Sequence, residues 1–150
     1  MVKHEIGKWN LDELTKNPNR KVIDEKLAKI ESYAKRFEKI KKSLNPKVSS
    51  GKFLKLIHDI ENITEKSSVI GGYASLRYSE NTQSDEATAL LARISKFGSE
   101  IENRLLFFDL WWKRQVDEKN ARRLMKSADQ FSEYLRFKRL LAKYSLSEPE

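Results

Sequence analysis

Between Leu105 and Trp112 the chain reads Leu-Leu-Phe-Phe-Asp-Leu-Trp-Trp, eight residues with a single polar side chain. This stretch closes a helical pattern that opens near Ser84. Ser84 or Asp85 can cap a helix, because a short side-chain oxygen satisfies a first-turn amide. Leu90, Ile94, Phe97, Ile101, Leu105, Phe108 and Trp112 then follow at steps of three or four and share one face. The last two turns are apolar around the whole circumference except at Asp109, so other helices must cover them on several sides. The expected fold is all-α, with five or six helices in an antiparallel bundle and long amphipathic helices around this central apolar one.

Other segments supply the surrounding helices. Asn10 and Glu13 have capping-box spacing for a short first helix, ended by Asn17-Pro18-Asn19. Ile23, Leu27, Ile30, Ala34, Phe37 and Leu44 trace the stripe of a long second helix, widened by Tyr33 and Ile40, which Asn45-Pro46 stops. A third helix is expected from Ser50, with Phe53, Leu54, Ile57, Ile60 and Ile63 facing the core. Gly71-Gly72 weakens that helix and admits a close backbone, which predicts a kink or tight crossing before Tyr73 and a hinge at the glycine pair. Tyr78 to Ser84 reads as the loop into the apolar helix. Asp117 is a cap for a shorter helix through Met125. A last helix places Phe131, Tyr134, Phe137, Leu141 and Tyr144 on one face, the spacing expected of a core stripe.

The composition agrees with a chain that folds. With 39% hydrophobic and 35% charged residues, five Gly and three Pro, it reads as one helical domain over 1–150 rather than a disordered segment. No apolar run approaches the roughly 18 residues that span a bilayer, and MVKHEIGKWN has no hydrophobic signal core. The absence of cysteine excludes a disulfide framework. Together these features predict a cytoplasmic location with no membrane partner. At the other end, Ser147-Glu148-Pro149-Glu150 has the chemistry of a helix start, which predicts continuation into a further helix.

The net charge of +8 is unevenly spread: residues 1–50 hold 13 basic against 7 acidic side chains, and residues 51–100 hold 6 against 7. Arg136, Arg139 and Lys143 form a basic stripe beside Phe137 and Tyr144, the arrangement that could set cations on phosphates and rings on bases. Interspersed acidic residues make a solvated face the better reading, and no nucleic-acid motif is present. His4 and His58 lie 54 positions apart, with no cysteine, and make no metal-ligand spacing. His58 with Asp59 and Glu61 does not converge on one point, so a surface histidine is expected. Asp109 requires a partner; a structural ion pair with Lys113, one turn on, or with an Arg of another helix is the preferred reading. Asn62-Ile-Thr64 fits a glycosylation sequon, but on a cytoplasmic helix it reads as accidental.

Tyr73-Ala-Ser-Leu76-Arg-Tyr78-Ser-Glu-Asn81-Thr82, followed by a helix carrying Asn103 to Phe108, resembles the N-terminal helical region of oligoendopeptidase F-like zinc metallopeptidases. Trp9-Asn-Leu11-Asp-Glu-Leu14 resembles the family's opening Trp-x-Leu-x-x-Leu turn. Tyr144-Ser-Leu-Ser-Glu-Pro-Glu150 resembles the stretch leading into its next domain, so the likeness spans nearly the whole chain. Where much of the family has Asp in the Tyr-Ser-x-Asp-Thr turn this chain has Asn81, and both residues suit such turns.

The resemblance implies a peptidase that cleaves short peptides in an enclosed helical cavity, with zinc on a downstream His-Glu-x-x-His helix and a further Glu ligand. It implies no catalytic or metal residue in this chain, whose partners would be the missing catalytic domain and, in the full enzyme, short peptides. This region would form one wall or lid. Gly71, Gly72, Tyr73, Tyr78, Asn81 and Thr82 would be scaffold residues fixing a helix crossing and a loop, with Asp109 as an alternative cavity-wall contact. Two other readings compete with this one: a stand-alone helical interaction module, binding a partner or forming a homodimer through an apolar patch around Trp111 and Trp112, and a basic nucleic-acid binder.

Overall fold

Four short polar side chains set the starts of the four longest helices. Asn19, Ser49, Ser84 and Asp117 each accept a hydrogen bond from the backbone N–H three residues on, at 3.0, 3.4, 3.2 and 3.0 Å. The computed structural model describes residues 9–16 and 18–144. His4 and the expected helix start at 147–150 lie outside the described residues. The helices are α1 (Arg20–Lys41), α2 (Ser50–Glu80), α3 (Asp85–Leu110), α4 (Glu118–Ser127) and α5 (Ser132–Leu140). A π-helical turn, Trp111–Gln115, extends α3, and 3-10 turns flank α5 at Asp129–Phe131 and Leu141–Tyr144. No strand occurs among the described residues, and the fold is the all-α bundle expected.

Cross-helix ion pairs give the directions of the first three helices. Asp24 meets Arg93, while Glu31 and Glu38, further along α1, meet Arg104, further along α3, so these two helices run parallel. Arg36 meets Asp59 near the start of α2, whereas Lys26 and Lys29 share a surface pocket with Glu65, Lys66 and Val69, so α2 runs antiparallel to α1. The result is an up-down-up bundle. Its core stripes are Ile23, Leu27, Ile30, Ala34 and Phe37 from α1, with Phe53, Leu56, Ile57, Ile63, Ile70, Tyr73 and Ala74 from α2. The third stripe, Ala87, Ile94, Ile101 and Phe108, belongs to α3. No helix of the described residues is long and apolar enough to cross a membrane.

At the far end of α3 the aromatic rings gather. Phe53 lies 5.3 Å from Trp112 and 6.3 Å from Trp111 by ring centroid, and Phe37 lies 6.1 Å from Phe108. These spacings are those of favourable tilted and edge-to-face ring pairs. Trp111 and Trp112 are fully enclosed, so they supply no exposed patch for a partner. The cover over this end is not complete, since Leu106 remains 52% exposed.

Three expectations are corrected. Residues 11–15 make a single turn rather than a helix, with the amides of Leu14 and Thr15 both donating to the Leu11 carbonyl. The Asn10 carboxamide accepts from Asp12 N, two residues on, instead of from Glu13 N as a capping box needs. At Gly71-Gly72, α2 continues unbroken to Glu80, and an added Cβ on either glycine would meet nothing within 4 Å. No backbone crosses closely there, because a long helix packed along both neighbours tolerates two weak positions.

The third correction concerns α5, whose aromatic stripe faces outward: Tyr134 is 44% exposed, Phe137 58% and Tyr144 72%. The inward positions are Leu135, which is fully buried, together with Lys138 and Arg139. Arg139 donates to the carbonyls of Trp112 (2.9 Å) and Val116 (2.8 Å), which the end of the π turn leaves without helical partners. Polar demand from the end of α3 thus decides which side of α5 turns in.

Alanine at position 71 or 72 should raise the free energy of unfolding by about 0.5–1 kcal/mol, because it removes glycine's excess backbone entropy without a clash. The check is the midpoint of urea denaturation at unchanged slope. A lower midpoint would restore the tight crossing.

Candidate functional site

Residues remote in sequence meet in a cleft at the opposite end of the bundle from the tryptophans. The Glu80 carboxylate, in the last turn of α2, receives the backbone N–H of Trp9 at 3.0 Å on one oxygen and Arg77 at 2.6 Å on the other. That bridge fastens the N-terminal turn against the α2–α3 connection. The cleft beneath it has a volume of about 290 Å3 and is lined by Trp9, Asp12, Thr15, Tyr73, Arg77 and Glu86, among others. Thr15 and Tyr73 are buried at its base, whereas the Trp9 indole stays 49% exposed. Burial pushes the Tyr73 hydroxyl above its ordinary pKa, and Arg77 offsets part of that rise.

The expected site residues fall into four places. Tyr73 lies in the cleft. Tyr78 lies in the last turn of α2, which runs to Glu80 instead of giving way to a loop at Tyr78, and Asn81 and Thr82 form the shorter turn that follows, where the Asn81 side chain accepts from Gln83 N at 3.1 Å and its carbonyl from Ser84 N at 3.2 Å. This Asx turn delivers the chain directly to the Ser84 cap. Gly71 lines a separate groove between α2 and α3, with Ser67, Ser75, Ser95 and Gly98, and Gly72 adjoins it in sequence. Asp109 sits near the other end of α3, about 30 Å along the helix from Ala87 in the cleft wall. Arg77, Asp12 and Thr15 complete the lining and Glu80 bridges beside it; Arg77, Glu80 and Asp12 stand within the quoted motifs but carry no assigned role there. The only sequence signal for them is the three-residue spacing of Arg77 and Glu80, an ordinary helical ion pair.

Asp109 has the structural partners its surroundings require. Its carboxylate is held by Lys113 at 2.6 Å and by Lys138 of α5. Burial pushes the Asp109 carboxyl up, but hydrogen bonds from Lys113 and Lys138 more than reverse this and hold it below its ordinary value. Lys138 shows the reciprocal balance: burial lowers it, and Asp109 raises it overall.

The cleft offers one guanidinium, one phenol, an indole and several carboxylates, which suits recognition. Among the described residues no three of His, Cys, Asp and Glu group so as to hold a metal ion. His58 pairs with Glu61 at 3.1 Å and stands edge-on to Phe131. A catalytic zinc needs three protein ligands and an open position, so these residues do not fit it, and no hydrolytic step is assigned to them. No protein-family model, curated protein or solved structure matches this chain.

Two predictions come from these contacts. Glu80→Ala should speed hydrogen exchange at the Trp9 amide and cost about 0.5–1.5 kcal/mol of stability, read by exchange NMR and denaturation. Unchanged exchange would mean that the Glu80 bridge does not hold the N-terminal turn.

The second uses pH. Because the Asp109 pKa is lowered in the folded state, its stabilisation is complete above the unfolded value of about 4 and is lost as pH falls through the folded value. Asp109→Asn should therefore be less stable than the parent at pH 7, with the difference shrinking below about pH 4. Parallel acid limbs in a pH series of denaturation curves would remove Asp109 from that role.

Proposed function

We propose that this chain is the N-terminal, non-catalytic helical region of an oligoendopeptidase F-like zinc metallopeptidase, where it forms part of the wall of the peptide cavity. The observation that carries the reading is the convergence of the two segments bearing the resemblance. Trp9 and Leu11 stand against Tyr73 and Arg77 in one cleft, and the Trp9 amide is tied to Glu80 across 71 positions. On this reading zinc, the attacking water and the general base belong to a catalytic domain elsewhere in the protein, and the location is cytoplasmic. This chain contributes shape: Tyr73, Tyr78, Asn81 and Thr82 hold the end of the wall, and the catalytic domain and short peptides are its partners.

A second reading, a helical interaction module, is favoured by the outward aromatic face of α5. Nucleic-acid binding gains less support. Arg136 is engaged by Glu133, and Arg139 by two carbonyls and Glu118, so two of the three cations of the basic stripe are committed to structure.

Reading the source transcript past the codon for Glu150 tests the proposal. The expected result is an open frame that reaches His-Glu-x-x-His and encodes a product with zinc-dependent cleavage of short peptides. An immediate stop codon would overturn it and leave the interaction module.

A further inference from the structure

The outer face of α5 combines a ridge, a groove and a charge gradient. The ridge is Tyr134, Phe137, Leu140 and Tyr144, exposed by 44, 58, 55 and 72%. Taking about 200 Å2 for a whole aromatic side chain, these four expose on the order of 450 Å2, within the range of the largest patches on ordinary monomers and often functional there. The groove begins where the ridge begins, because Tyr134 belongs to both. It has a volume of about 430 Å3, and Ile57, Ile60 and Thr64 of α2 face Phe131 and Tyr134 across it.

The two ends of this surface differ in charge. Glu61 and Glu65 flank the groove beside Tyr134, Glu61 near His58 at 3.1 Å and Glu65 near Lys66 at 3.6 Å, while Lys138, 5.2 Å from the Tyr134 ring, is committed to Asp109. At the opposite end Lys143 lies 4.8 Å from the Tyr144 ring. A second α5 laid antiparallel would bring its Lys143 end over Glu61 and Glu65 and set its ridge towards the groove, and the twofold axis would repeat both contacts. A parallel arrangement would place acid against acid and base against base.

We propose that this face is a self-association surface, occupied by the same face of a second copy of the chain in an antiparallel, isologous pair. The pairing does not depend on the peptidase reading. The ridge and groove together fall short of the ~800 Å2 per partner of a standard interface, which places the pair among small, reversible interfaces. Phe137, Leu140 and Tyr144 are each more than half exposed and lie outside the buried core, which makes the surface separable from the fold.

Sedimentation velocity of the whole 150-residue chain, from about 10 to about 500 µM at low salt, tests it. The mass should rise from 17.6 kDa towards twice that value. Phe137→Glu, at an exposed position and checked for intact helicity by circular dichroism, should weaken association at least ~10-fold. Lys143→Glu alone should weaken it, and Lys143→Glu combined with Glu61→Lys and Glu65→Lys should restore it. A monomer at every concentration overturns the proposal and leaves the face to another partner. A dimer indifferent to Phe137→Glu, or one that the combined charge reversal fails to restore, overturns it equally.

Discussion

The enclosure of Trp112 governs much of the rest of the structure. Its ring sits 5.3 Å from Phe53, its indole N–H donates to the Leu135 carbonyl at 2.9 Å, and Arg139 stands over its face at 5.6 Å. A buried tryptophan is worth about 3–5 kcal/mol against truncation, and an indole N–H shut away without an acceptor adds a penalty of about 1–3 kcal/mol. The Leu135 carbonyl of α5 meets that need for Trp112, whereas the neighbouring Trp111 indole N–H is buried without an acceptor among the described residues. The π turn at Trp111–Gln115 is the local adjustment that fits two adjacent indoles into the core, closed by Val116 N bonding to the Trp111 carbonyl. Widening the helix in this way strands carbonyls at its end, and Arg139 answers them.

This chain of demands explains what was legible in the sequence and what was not. Two caps were legible because a cap is a local contract: Ser84 and Asp117 sit next to the turns they satisfy, whereas Asn10 has the capping spacing without a helix and Asn19, which reads as part of a helix stop, caps α1. The stripes of α1 and α3 were legible because one face of each is apolar and the other is not. Around α5 both faces carry apolar residues, and the richer one, Tyr134 to Tyr144, points the wrong way for a local rule. The decision rests on Trp112, Val116 and Asp109, which lie more than twenty positions upstream and whose needs no window of α5 displays. Gly71-Gly72 failed for a related reason. Two glycines permit a kink, but only an intruding backbone would exploit the permission, and none approaches.

The cleft was half legible. Its turn and Tyr73 stand out in the sequence, while the bridge from Trp9 through Glu80 to Arg77 closes a loop of 71 positions that no periodicity reveals. Its chemistry also limits what the cleft can do. It presents one guanidinium, one phenol and an indole, and among the described residues no three of His, Cys, Asp and Glu group to hold a metal ion.

Exposure along α5 carries an energetic tension. At about 25 cal/mol per Å2, its ridge leaves on the order of 10 kcal/mol of apolar burial unrealised. The inward turn of Leu135, Lys138 and Arg139 cannot be traded for it, because rotating α5 would take the Leu135 carbonyl from Trp112 and Lys138 from Asp109 at once. Association costs at least ~4 kcal/mol in lost translational and rotational freedom, so only part of the unrealised burial can appear as affinity. A surface of this size therefore suits contacts that form and separate. Because acidic and basic ends lie at opposite limits of the ridge, orientation is selected by charge even where affinity is modest.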